Sequence, residues 1–170
     1  ETGLEEPTAG EIRFDGRWLY SPRLGQSDGD PIPLKELRQR VQMIFQDPYE
    51  SLNPRATIFD IVAEPLEVHG LERKPAAREQ RVAAALEEAG LRPAQDYFLR
   101  YPHELSGGQR QRVVIAAAMV LEPALLLADE PVSMLDVSIR AEILNLLREY
   151  RQRRGVSLLF ITHDLGTVAY

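Results

Sequence analysis

Three strand-length runs constrain this chain more than anything else in it. They are Val41-Gln42-Met43-Ile44-Phe45-Gln46, Leu125-Leu126-Leu127-Ala128 and Ser157-Leu158-Leu159-Phe160-Ile161-Thr162. All are mostly apolar, without the polar alternation of a half-exposed strand, so they read as strands buried on both faces in a parallel sheet covered by helices. Each run stops at polar residues, respectively Asp47-Pro48, Asp129-Glu130-Pro131 and His163-Asp164. Parallel neighbours need crossovers, and helical patterns lie between the runs. The spacing predicts helices over Leu34–Arg40, Thr57–His69, Ala76–Ala89 ended by Gly90, Gln109 to about Leu121, and Val137–Arg154 ended by Gly155. Thr8-Ala9-Gly10 reads as a turn, Glu11–Gly16 as a short strand running into a second turn, and residues 21–33 as a loop. The fold class expected is α/β, with residues 1–46 and 123–170 forming the sheet core and residues 47–122 an inserted helical subdomain.

Composition removes several function classes. With 20 basic and 26 acidic residues the net charge is −6, which opposes a surface that grips nucleic acid throughout, and no nucleic-acid partner is expected. Cysteine is absent, which excludes thiol nucleophiles and cysteine-ligated metals within these residues. The longest apolar run, Val113–Leu121, is far shorter than the ~20 residues of a spanning helix, and no export signal is visible.

Asp129 and Glu130 sit at the end of a buried strand, where open parallel sheets bind their ligands. Successive strand side chains diverge, so the two carboxylates can serve different partners. An apolar strand ending in Asp suits magnesium in phosphate-transfer proteins, and the next Glu can orient and deprotonate water. An acidic turn capping the next helix would carry the same residues.

Leu105-Ser106-Gly107-Gly108-Gln109-Arg110-Gln111-Arg112 places a hydroxyl and two glycines before an apolar-striped helix. Unpaired first-turn amides and the positive dipole end suit an anion, and glycine lets backbone approach phosphate closely. An ordinary N-cap at Ser106 with a glycine hinge reads equally well from these residues alone.

Together the eight residues resemble the signature motif of ATP-binding cassette (ABC) proteins. Asp129-Glu130 resembles their Walker B end with its catalytic glutamate, Gln46 their Q-loop, Ser133-Met134-Leu135-Asp136 their D-loop and His163 their switch histidine. All five occur in the family's order. Gln46–Arg55 and Tyr101-Pro102-His103-Glu104-Leu105 further resemble the ATPase subunits of oligopeptide and dipeptide importers. Pro131-Val132-Ser133-Met134-Leu135-Asp136 departs from the commoner Pro-Thr-Ser-Ala-Leu-Asp but keeps the aspartate.

The resemblance implies a P-loop NTPase-type sheet core with an inserted helical subdomain, truncated at both ends. The family's P-loop ends in Gly-Lys-Ser/Thr, whereas the only lysines here, Lys35 and Lys74, follow Leu34 and Arg73. Family order puts that loop upstream of Glu1, so these 170 residues by themselves are expected to lack ATPase activity. In the intact protein the resemblance implies ATP and Mg2+ as cofactors, clamped between two ATP-binding subunits. It assigns Glu130 as general base, Asp129 and Gln46 to the metal, Gln46 also to the attacking water, and His163 to the γ-phosphate. Ser106, Gly107, Gly108 and Gln109 would meet the nucleotide held by the partner, with Asp136 organising the dimer contact. Transmembrane permease subunits and a peripheral position on the cytoplasmic face of the membrane are implied, for peptides or related solutes. Cassette ATPases of DNA repair and a non-hydrolytic dimerisation module are the competing readings. Tyr49, Leu52 and Phe59 fit either a groove for a permease helix or plain core. Arg148, Arg151, Arg153 and Arg154 read as a dipole-complementing helix end.

Overall fold

A computed structural model describes residues 11–20, 32–164 and 166. The Thr8–Gly10 turn and most of the 21–33 loop fall outside them. In chain order come β1 (Ile12–Phe14), β2 (Arg17–Tyr20), α1 (Leu34–Arg40), β3 (Val41–Ile44), α2 (Pro48–Ser51), α3 (Ile58–His69), α4 (Pro75–Glu88), α5 (Gln95–Phe98), a 3-10 turn at Pro102–Glu104, α6 (Gly107–Met119), β4 (Leu125–Asp129), α7 (Val137–Arg154) and β5 (Ser157–Ile161). Strands β3, β4 and β5 form a parallel sheet in that spatial order, with Ile44 opposite Ala128 and Asp129 opposite Ile161. Helices α2 to α6 all lie between β3 and β4 in the chain.

Local chemistry sets the helix ends. Thr57 caps α3 in a reciprocal box with Asp60, and Gly70 ends it in the left-handed region at φ +73°. Gly155 does the same for α7 at φ +67°. Gly90, beyond α4, has φ +85°, and the space where its side chain would stand is filled by the Arg112 guanidinium. Arg112 donates there to the Ala89 carbonyl at 2.8 Å and pairs with Glu142 of α7 at 2.7 Å, tying three helices together.

One core runs through sheet and helices. Ile44, Leu126, Leu158 and Phe160 pack in the same cluster as Val113, Ile115 and Ala116 of α6 and Ile143 and Leu147 of α7. Leu52 is buried in it, and Phe59 packs against it edge-on to Phe98 at 5.1 Å. Of the three candidate groove residues only Tyr49 is exposed, its ring 4.0 Å from the Arg110 guanidinium carbon. Arg153 and Arg154 close α7 in ion pairs with Glu149, and with Glu88 and Glu122.

Two expectations change with the structure. The short strand at 12–14 runs into its turn as expected, and there Asp15 at φ +52° and Gly16 at φ +75° reverse the chain into β2, which pairs antiparallel with β1. An Asp-Gly pair with both residues at positive φ is the favoured two-residue hairpin turn. The hairpin is docked by Arg17 to Glu36 and Arg40 to Asp15, each at 2.7 Å. The second correction concerns β5, which is not buried on both faces. Leu158 and Phe160 point into the core, while Leu159 and Ile161 are 54% and 48% exposed. In the described sheet β5 is an edge strand, so its outer side has no strand neighbour.

Candidate functional site

The segments that follow the carboxyl ends of β4 and β5 border one cleft. Residue Glu130 follows β4 directly, and its amide donates to the Ile161 carbonyl of β5 at 2.9 Å. Its φ is +47°, an uncommon conformation for a residue with a side chain. Backbone held this way concentrates at functional sites, where the surroundings over-determine it. Those surroundings are visible: the Ser133 amide and hydroxyl both donate to the Glu130 carbonyl, at 3.2 and 3.0 Å.

His163, two residues beyond β5, meets Glu130 through an Nδ1 to Oε1 hydrogen bond. The histidine side chain is 75% exposed and the glutamate 17%. The hydrogen bond to Glu130 and then its negative charge hold the imidazole pKa above the ordinary 6.5; Asp164 adds to this and Arg140 opposes it. Glu130, Val132, Ser133, Arg140, His163 and Asp164 are among the residues lining a cleft of about 430 Å³ beside this pair.

The other expected residues distribute around it. Asp129 ends β4, half-buried and opposite Ile161. Gln46 is exposed two residues beyond Ile44, the end of β3. Asp136 precedes α7 and makes no side-chain capping bond. At α6 the capping box forms: the Ser106 hydroxyl accepts from the Gln109 amide at 3.3 Å, and the Gln109 side-chain oxygen accepts from the Ser106 amide at 3.0 Å. The amides of Gly107 and Gly108 are first-turn donors that this box does not use.

The glycines also have a packing role that the sequence does not announce. A side chain on Gly108 would come within 2.7 Å of a methyl of Ile139 on α7, and one on Gly107 within 3.8 Å of Leu135. The N-terminus of α6 therefore abuts the turn that follows Glu130, within the same chain. Arg140 was the functional candidate that sequence reasoning missed. It stands one turn inside α7, and nothing in its neighbours' composition says that its side chain folds back toward the cleft.

Asp129 offers a carboxylate and Gln46 an amide oxygen, the hard oxygen donors that suit Mg2+. Such ions take one or two protein oxygens and complete their shell with phosphates and water. Among the described residues no group of three or more His, Cys, Asp or Glu could hold a metal by itself, so Asp129 and the Gln46 amide would act with ligand oxygens. Nor is any helix among the described residues long and apolar enough to cross a membrane.

Comparison with known proteins adds independent findings. The family model described as ABC transporter matches residues 2–133. The oligopeptide transport ATP-binding protein OppF of Bacillus subtilis (strain 168) is 46% identical over 167 residues, covering 98% of this chain and 52% of that protein. This chain thus spans about half the length of that relative. Among solved structures, cbiO1 from Clostridium perfringens, part of the ABC transporter complex cbiONQ, superimposes with a TM-score of 0.79 at 30% identity, covering 98% of this chain and 61% of that one. The dimeric post-hydrolysis state of the ATP-binding cassette MJ0796, bound to ADP and Pi, gives 0.73 at 29% identity, covering 98% and 68%. The α/β fold is that of the ABC ATPase domains, a P-loop NTPase core.

Proposed function

This chain belongs to the ABC transporter family, and from that premise we propose that it is part of an ATP-hydrolysing subunit that energises a membrane importer of peptides or related small solutes. The peptide branch rests on the likeness to the Bacillus oligopeptide transport protein. Residues 1–46 and 123–170 serve as the ATPase core and residues 47–122 as the helical subdomain. A second ATP-binding subunit and transmembrane permease subunits are its partners, on the cytoplasmic face of the membrane.

The contact between Glu130 and His163 carries this reading. It joins a carboxylate and an imidazole at the tips of neighbouring parallel strands, where ligands of such sheets bind. Bound ATP with Mg2+ would supply an electrophilic γ-phosphorus, with ADP as the leaving group. Oε1 or Oε2 of Glu130 accepts the proton of a positioned water, and its unusual backbone turns that carboxylate toward His163. The imidazole orients the carboxylate and offers an N–H to phosphate oxygen. Asp129 and Gln46 would hold the cation. Ser106 with the free amides of Gly107 and Gly108 forms an anion-facing surface for the nucleotide bound by the partner, with Gln109 fixing Ser106 and Asp136 at the subunit contact.

In the full-length subunit, Glu130→Gln is expected to lower ATP hydrolysis by roughly 10²–10⁴-fold while nucleotide affinity stays near wild type. Steady-state phosphate release and equilibrium nucleotide binding measure the two. A folded variant with wild-type turnover would overturn the assignment. Co-purification of permease subunits with the tagged protein tests the transport half.

A further inference from the structure

We infer that Arg140 is a positioning residue, which clasps the loop following Glu130 to the loop containing His163 and so fixes the catalytic pair in register. The inference rests on the function proposed above and concerns a residue that contributes no atom to the reaction itself.

Two loops must agree for Glu130 and His163 to meet. One leaves β4 and runs over residues 130–136; the other leaves β5 through residues 162–164. The strands fix where each begins, through the Asp129–Ile161 register, but not how each folds beyond the sheet. Arg140 bridges them with a single planar group. Its Nε donates to the Leu135 carbonyl at 2.7 Å, Nη2 to the Ser133 carbonyl at 3.3 Å, and Nη1 to Oδ2 of Asp164 at 3.4 Å. The first two acceptors belong to the turn after Glu130, and the third is the neighbour of His163.

Each loop is closed on itself where Arg140 takes hold. The Leu135 amide returns to the Val132 carbonyl at 3.2 Å, and Ser133 binds Glu130 through its amide and hydroxyl. On the other side Oδ1 of Asp164 accepts the Gly166 amide at 2.9 Å, and the Asp164 amide donates to Oγ1 of Thr162 at 3.0 Å. Displacing the guanidinium therefore removes this bridge between the loops and one restraint on Asp164, whose carboxylate holds the Gly166 amide.

The chemistry selects arginine. Three acceptors in two directions match a rigid fork, whereas an ammonium is a point donor on a flexible stem. The Arg140 and Asp164 side chains are 33% and 45% exposed, and ion pairs of that exposure add little to stability. Geometry is what the clasp supplies. Arg140 also lines the same cleft as Glu130 and His163, so its loss changes the wall of the site.

The test compares Arg140→Met, Arg140→Lys, Asp164→Asn and the Arg140→Met/Asp164→Asn double variant in the full-length subunit. Misplacing catalytic groups by a fraction of an ångström is expected to lower kcat for Arg140→Met by about tenfold or more. The KM for ATP should stay within about twofold, the sign of a loss confined to the transition state. Arg140→Lys should recover part of kcat, Asp164→Asn should lose less than Arg140→Met, and the double variant should lose no more than Arg140→Met alone. Amide hydrogen exchange of the nucleotide-free protein supplies a readout independent of turnover: the Asp164 and Gly166 amides should exchange about tenfold faster in Arg140→Met. Unchanged kcat, or kcat, KM and melting temperature falling together in all variants, would overturn the inference. A wild-type subunit without ATPase activity would overturn the transport reading alone, and the clasp would then stand on faster exchange or fall on unchanged exchange.

Discussion

The two regions proposed to face phosphate are built on opposite plans. The start of α6 is local: Ser106 and Gln109 satisfy each other across three residues, and the helix needs nothing distant to begin. The Glu130–His163 pair is non-local: its members stand 33 residues apart, and their meeting depends on sheet register, a positive φ and a bridging arginine. A locally determined element survives disturbance elsewhere, whereas the pair feels every change in how β4 and β5 end.

The largest effect that could blur this contrast lies at Gly108. If α6 begins on local chemistry but is seated against α7 by shape, Gly108→Ala forces a methyl group toward Ile139 at 2.7 Å. Ile139 is β-branched and stiff at χ1, so it yields poorly. A loss of roughly 1–3 kcal/mol in chemical denaturation is expected. Ile139→Ala in the same chain should restore part of it, and an unaffected Gly108→Ala protein would show that this end of α6 is not seated there.

A smaller effect should come from removing the cap. Ser106→Ala is expected to lower stability by about 1 kcal/mol, as other N-cap losses do, and to fray the first turn of α6 without moving Glu130 or His163. Exchange rates confined to the first amides of α6 would sharpen the contrast; changes spreading to residues 130–136 would break it.

The smallest effect is electrostatic. Because Glu130 raises the His163 pKa, the native state binds that proton more tightly than the unfolded chain. The resulting stabilisation is fully present below the ordinary 6.5 and disappears as pH rises through the raised folded value. Glu130→Gln should bring the His163 midpoint, followed by NMR, back down toward 6.5, and flatten the pH dependence of melting in that window. A midpoint that stays raised would mean that Asp164 governs the imidazole instead.

How much of this was legible in the sequence follows the same division. Helix α7 and its glycine stop, the cap of α6 and the three parallel strands were readable, because each depends on spacing within one segment. The β1–β2 hairpin was equally local, written in Asp15-Gly16 between two short runs, and was passed over as a plain turn. The exposed side of β5 was not readable, since an apolar residue in a strand does not reveal whether anything covers it. Nor was Arg140, whose position at the start of an amphipathic helix resembles any solvated arginine until the two loops are seen to close around it. Gly107 and Gly108 suit the close approach of an anion, yet at Gly108 the structure also requires smallness for helix seating.

The edge formed by β5 has a practical corollary. Among the described residues its peptide groups on the outer side have no strand to bond with, and Leu159 and Ile161 line up beside them, exposed. Nature usually blunts such margins with charge, proline or a bulge, and Ser157–Ile161 has none of these. Among the described residues this uncovered ribbon is the stretch along which separate molecules would zip together, and a strand laid beside it in a longer polypeptide would remove that hazard.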